Sequence, residues 1–172
     1  IDERNHTSVK NVYAAGDVCL ALKFTNAAQY SARMAVRNAL TGTRQRQSAT
    51  AIPWCTFCDP EIAHIGLHVW EARRKSIPIK SFTVMMQDGE RAIMEGQGTG
   101  FVKIHTAEGS DKILGATIVA LRASEMINEM AVIMSAGIGM TELENIVHTY
   151  PAQTEGIMQA AMAYVRDQVP GA

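Results

Sequence analysis

The fold turns on one stretch: Phe101-Val102-Lys103-Ile104-His105, then Glu108-Gly109-Ser110-Asp111, then Ile113-Leu114-Gly115-Ala116-Thr117-Ile118-Val119. Two runs rich in β-branched residues flank a cluster of turn formers, which predicts an antiparallel hairpin. Upstream, residues 79–86 set Ile79, Ser81 and Thr83 against Lys80, Phe82 and Val84, the alternation of a strand with one buried face. Residues 52–57 and 63–67 read as two further strands, and 69–75 as a short helix. Gln87-Asp88-Gly89 and Gly96-Gln97-Gly98-Thr99-Gly100 read as turns. Beyond the hairpin the period changes. Met126, Ile127, Met130, Ala131 and Met134 form one helical stripe closed by Gly137. A short helix is expected over 140–146 with Thr141 as cap. A last one starts near Thr154 and carries Ile157, Met158, Ala161, Met162 and Val165. Strands first and helices afterwards predict an α+β fold, an antiparallel sheet with helices packed on one side.

The first 42 residues follow a different pattern. Residues 9–14 read as a short strand ending at Gly16-Asp17, and 26–40 as a helix with Asn26 as N-cap and Gly42 as C-cap. Residues 43–51 are polar and aperiodic and read as a linker, so a domain boundary is expected there, with 52–172 as the second domain.

A chain of 172 residues fits one domain, or one domain and part of another. The net charge of -1 argues against a nucleic-acid or anionic-membrane footprint. No apolar run reaches the roughly 18 residues that span a bilayer. The N-terminus has no basic region followed by an apolar stretch, and the three cysteines make an odd count. Both fit a reducing, cytoplasmic setting. The chain opens on Ile1, mid-pattern, and reads as a piece of a longer protein. Ten methionines suit an adaptable core or subunit contact.

Two motifs carry the functional reading. Near the start stands Asn11-Val12-Tyr13-Ala14-Ala15-Gly16-Asp17-Val18, and near the end Ile146-Val147-His148-Thr149-Tyr150-Pro151-Ala152-Gln153-Thr154-Glu155. Glycine lets backbone approach a ligand closely and a carboxylate accepts from a hydroxyl, although Gly16-Asp17 alone is equally an ordinary turn. Together the motifs resemble the closing part of the FAD-dependent pyridine nucleotide-disulfide oxidoreductases, the family of dihydrolipoamide dehydrogenase, glutathione reductase and mercuric reductase. Residues 52–67 and Ala123-Ser124-Glu125-Met126-Ile127 resemble that family's dimerisation domain.

The resemblance implies roles. Residues 1–42 would be the end of an FAD-binding domain, where Gly16 and Asp17 meet the flavin's ribityl chain. Lys23, Phe24 and Thr25 would lie at a helix N-terminus facing the flavin. Residues 52–172 would join two subunits and present Tyr150, Pro151 and Glu155 to the partner's active site. The family pattern ends His-x-His-Pro-Thr-x-Ser-Glu, its second His and its Glu forming an acid–base pair. Here Tyr150 stands at that His and Ala152 at the Thr, while Pro151 and Glu155 match. A phenol with an ordinary pKa near 10 is a poor base at neutral pH, which puts lipoamide- or glutathione-type exchange in doubt and leans toward mercuric-reductase-like members. Those members' C-terminal cysteine pair is not at the chain's end. His148 is the alternative base, on the same side of an extended segment as Tyr150. FAD and NAD(P)H would serve the longer enzyme, which would pass electrons to a disulfide or thiol-bound acceptor. This chain has neither a Gly-x-Gly-x-x-Gly cradle after a strand nor a Cys-x4-Cys pair, so alone it is expected to be inactive and to hold no cofactor tightly. The rival reading is a stand-alone dimerisation or interaction module without chemistry.

Cys55-Thr56-Phe57-Cys58 invites a metal reading with His64 and His68. Residues three apart in a strand point to opposite faces, so ordinary strand cysteines and no metal are expected. His6, His64, His68 and His105 fall outside any motif and read as surface or structural residues. Arg33, Arg37, Arg44 and Arg46 read as a solvated cluster.

Overall fold

A computed structural model describes residues 1–47 and 51–169. Residues 48–50 of the expected linker lie outside the described residues. The chain divides into two compact units, Ile1–Ile52 and Pro53–Ala172.

In the first unit, a short 3-10 turn at Gly16–Val18 leads to helix α1, Thr25–Thr41. Gly42 closes α1 in the left-handed conformation, φ 64°, as its position predicts. The helix begins one residue before the expected cap: Phe24, in extended conformation, is the N-cap, and Asn26 is already helical. The strand expected over 9–14 does not form. Asn11 takes φ 65°, the Val12 amide donates to the Val9 carbonyl, and only a single His6–Tyr13 bridge remains. A left-handed asparagine turns the chain back where a strand would continue. Two buried asparagines, Asn5 and Asn38, hold the unit together. The Asn5 side chain donates to the Ala14 and Ser31 carbonyls, and Asn38 donates to those of Arg4 and Gln45.

The second unit is a five-stranded antiparallel sheet. In chain order its elements are β1 (Trp54–Thr56), β2 (Glu61–Gly66), α2 (Val69–Arg74), β3 (Ile79–Met85), α3 (Glu90–Met94), β4 (Phe101–Ala107), β5 (Ile113–Ala120), α4 (Ala123–Ala136), α5 (Met140–Glu144) and α6 (Glu155–Asp167). The strand order is β1-β2-β5-β4-β3, so β5 is central and pairs with both β2 and β4. The expected hairpin is β4 and β5, with Ile104 opposite Ala116 and Val102 opposite Ile118. Register places Ala63, Ile65, Phe82, Val102, Ile104, Ala116 and Ile118 on one face, and all are buried. Helix α4 covers β2 and β5 there, α6 covers β3 and β4, and α5 packs on α6. Met126, Met130, Ile133, Met140, Leu143 and Ile157 fill the space between, each nearly or fully buried. Phe82 and Tyr164 meet edge to face, their ring centroids 5.3 Å apart.

Three elements depart from expectation. Helix α6 buries Ile157, Ala160, Ala161 and Tyr164, and leaves Met162 exposed. Small residues set that face: a Cβ at Gly156 would stand 2.9 Å from Val102 Cγ2, so the helix approaches the sheet with Gly156 and Ala160 inward. Helix α5 starts at Met140 with Gly139, not Thr141, as its N-cap, and the Met140 amide donates to the Asp111 carbonyl. Helix α3 occupies residues assigned to no element by periodicity; its five residues are too few to show a stripe.

The other sheet face carries His64, His105, Thr117 and Ser81. Chain leaving β2 crosses this face so closely that a Cβ at Gly115 would stand 2.4 Å from the Leu67 carbonyl oxygen. The crossing lays His68 flat on His64, ring centroids 3.4 Å apart.

Candidate active-site segment

The segment from Ile146 to Glu155 runs from the end of α5 to the start of α6, and its side chains meet carboxylates from two other helices. His148 Nε2 lies 2.6 Å from Glu129 Oε1 on α4, and His148 Nδ1 lies 2.9 Å from the Ile146 carbonyl oxygen. Its side chain is only 11% exposed. Burial works against the imidazolium, but the Glu129 hydrogen bond, the Ile146 carbonyl and the Glu129 charge outweigh it and raise the pKa above that of an ordinary histidine. Both ring nitrogens are occupied.

Tyr150 differs in every respect. It is 65% exposed, follows His148 by two residues and precedes Pro151 through a cis peptide bond. Its hydroxyl donates to Glu90 Oε2 on α3. That hydrogen bond, with burial and then the charges of Glu90 and Glu155, pushes the phenol above its ordinary pKa. Gln153 Nε2 donates to Glu95 Oε2, 2.7 Å away, and Arg91 donates to Glu95 Oε1 through Nε at 2.8 Å and Nη2 at 2.6 Å. Those two donors hold the Glu95 carboxyl below the usual range. Glu155 does not bond Tyr150. Its Oε1 accepts from Gln159 Nε2 at 3.0 Å, while its Oε2 is buried without a protein partner. Pro151 to Thr154 form one wall of an open cleft of about 300 Å³, with Arg91 and Glu95 on one side and Arg122 and Glu125 on another.

Tyr150, Pro151 and Glu155 lie on one segment, which His148 ties to α4 through Glu129. Glu90, Glu95 and Glu129 were missed by sequence reasoning because they lie 60, 58 and 19 residues from their partners. The one local signal was the Arg91–Glu95 spacing, an i,i+4 pair typical of a helix.

The other candidates lie in the first unit, in the loop entering α1. Gly16 is buried at φ 75° and its amide donates to Ser31 Oγ at 3.0 Å. Asp17 is exposed, and Lys23 Nζ donates to its backbone carbonyl. Phe24 and Thr25 form the start of α1, which has no side-chain cap. The start of a helix carries positive potential from the aligned peptide dipoles.

Cys55 pairs with Ala63, whereas His64 is on the opposite face with both ring nitrogens engaged, by Thr117 Oγ1 at 2.9 Å and the Gly66 carbonyl at 3.1 Å. Among the described residues no three His, Cys, Asp or Glu side chains converge as metal ligands. Among the same residues no helix is long and apolar enough to cross a membrane.

Residues 52–161, more than half of the chain, match the family model described as the pyridine nucleotide-disulphide oxidoreductase dimerisation domain. The chain belongs to this family. It is 29% identical over 161 residues to dihydrolipoyl dehydrogenase of Staphylococcus aureus, covering 94% of this chain and 34% of the relative. It is 29% identical over 167 residues to mercuric reductase of Bacillus cereus, covering 97% and 26%. Among solved structures, LpdA from Mycobacterium tuberculosis superposes with a TM-score of 0.88 at 27% identity, over 95% of this chain and 36% of that one. The HOCl-induced flavoprotein disulfide reductase RclA from Escherichia coli gives 0.83 at 26%, over 94% and 38%. The chain thus spans about a third of the length of the relatives it matches.

Proposed function

We propose that this chain is the C-terminal part of an FAD-dependent, NAD(P)H-linked disulfide oxidoreductase. Residues 52–172 hold two subunits together and present Tyr150, Pro151 and Glu155 to the partner's flavin. The family match over 52–161 carries this reading. Residues 1–42 complete the FAD-binding domain: Gly16 brings the backbone close, Asp17 accepts from the ribityl chain, and Lys23, Phe24 and Thr25 set the amide-rich start of α1 beside the flavin. Bound FAD supplies the electron relay between a nicotinamide and a disulfide. This chain's own residues orient and hold protons. His148, tied at both nitrogens, fastens the segment to α4, which leaves the exposed Tyr150 as the group that meets the acceptor. Glu155 adds negative charge beside it.

Light scattering on the 172-residue chain tests the subunit role. The expected mass is twice 18.7 kDa. A mass of 18.7 kDa across the accessible concentration range would sink the reading that this unit suffices to join two subunits.

A further inference from the structure

We propose that Glu90 is the positioning residue for Tyr150: its carboxylate takes the phenolic hydrogen bond, so Tyr150 meets its ligand as a neutral oxygen whose lone pairs accept from a thiol S–H. The functional role rests on the reading above; the geometry of the couple does not.

Helix α3 holds the Tyr150 segment at two points. Glu90, its first residue, accepts from the Tyr150 hydroxyl, and Glu95, its C-cap, accepts from Gln153. Arg91 clamps the Glu95 carboxylate from the helix side, which leaves Glu95 little freedom to swing. The segment from Tyr150 to Gln153 is thus pinned at both ends to one short helix. A phenol has one proton to donate. Engaged with a carboxylate, that proton makes a charge-assisted bond, stronger than one to a neutral acceptor. The oxygen's remaining capacity is as an acceptor. The charged groups facing the phenol are Glu90 from α3 and Glu155 from α6, both negative, and both favour the neutral phenol over the phenolate. A thiol retains an S–H to give and a disulfide has none, so the arrangement discriminates in favour of the thiol form.

The test is the alkaline titration of Tyr150 in the 172-residue chain, read from near-ultraviolet phenolate absorbance. The difference between wild type and Tyr150→Phe isolates this residue among the four tyrosines. Tyr150 is expected to ionise above the ordinary value near 10, and Glu90→Gln to return it toward that value with circular dichroism unchanged. Identical Tyr150 titration in wild type and Glu90→Gln would overturn the proposal. In the longer enzyme run in the thiol-oxidising direction, with NAD(P)+ as the electron acceptor, Glu90→Gln and Tyr150→Phe should each lower kcat/KM for the thiol about tenfold, and the double variant no further, because the two act as one unit. Additive losses would overturn the positioning role. A wild-type enzyme without thiol or disulfide turnover, but with the raised titration intact, would count against the oxidoreductase reading and leave the Tyr150–Glu90 couple standing.

Discussion

His64 and His105 are 1% exposed, and each is neutral because burial forbids the charge. Burial is the largest influence on both and brings each pKa from 6.5 to about 4. For His64 the Gly66 carbonyl and Glu71 oppose the shift, while His68 and His105 add to it; for His105, Lys103 and His68 add. Each ring is satisfied as a neutral imidazole, His64 by Thr117 and Gly66, His105 by Ser81 Oγ at 2.8 Å. The unfolded chain binds protons near pH 6.5 and the folded chain only near pH 4. Their contribution to stability is therefore constant above pH 6.5 and falls as pH drops from 6.5 to 4, by on the order of 2–3 kcal/mol per histidine. Urea unfolding across that range should show the loss, and His64→Gln should flatten it. An unchanged acid slope in His64→Gln would show that the histidine is not the sensor. These histidines were read from sequence only as surface or structural residues; that they are buried depends on β2 and β4 flanking the same central strand.

Elements meet where small residues allow it. Gly115 in β5 lets the Leu67 backbone cross the sheet, and this crossing carries His68 onto the face away from α4 and α6. Gly115→Ala would drive a Cβ to 2.4 Å from the Leu67 carbonyl oxygen, a backbone atom that cannot swing aside. The expected cost is about 1–3 kcal/mol, as for other overpacked sites, read as a lowered denaturant midpoint. Full retention of stability would mean the crossing loop shifts freely. Most elements were legible beforehand because their periods were long enough to repeat: β3 alternates over Ile79–Met85, and α4 shows Met126 and Met130 one turn apart. Helix α3, at five residues, has no period to show, and the 9–14 segment had strand-forming residues with no strand beside them among the described residues of its unit.

At the scale of the molecule, the second unit closes its own core. The buried face of the sheet is covered by α4 and α6, with α5 packed on α6, all from the same unit. A chain of residues 53–169 should fold with a cooperative transition and near-native circular dichroism; a non-cooperative profile would show that the first unit is needed for that core. The sequence alone determined the strand-then-helix order, the β4–β5 hairpin, the left-handed glycine closing α1 and the motif ending at Glu155, because each is written in neighbouring residues. Tertiary structure alone decided the chemistry around that motif. Tyr150 meets Glu90, His148 meets Glu129 and Gln153 meets Glu95 because the chain returns past α3 and α4 before entering α6. Pairings across 58 or 60 residues depend on which helices cover the sheet, and no local pattern encodes that.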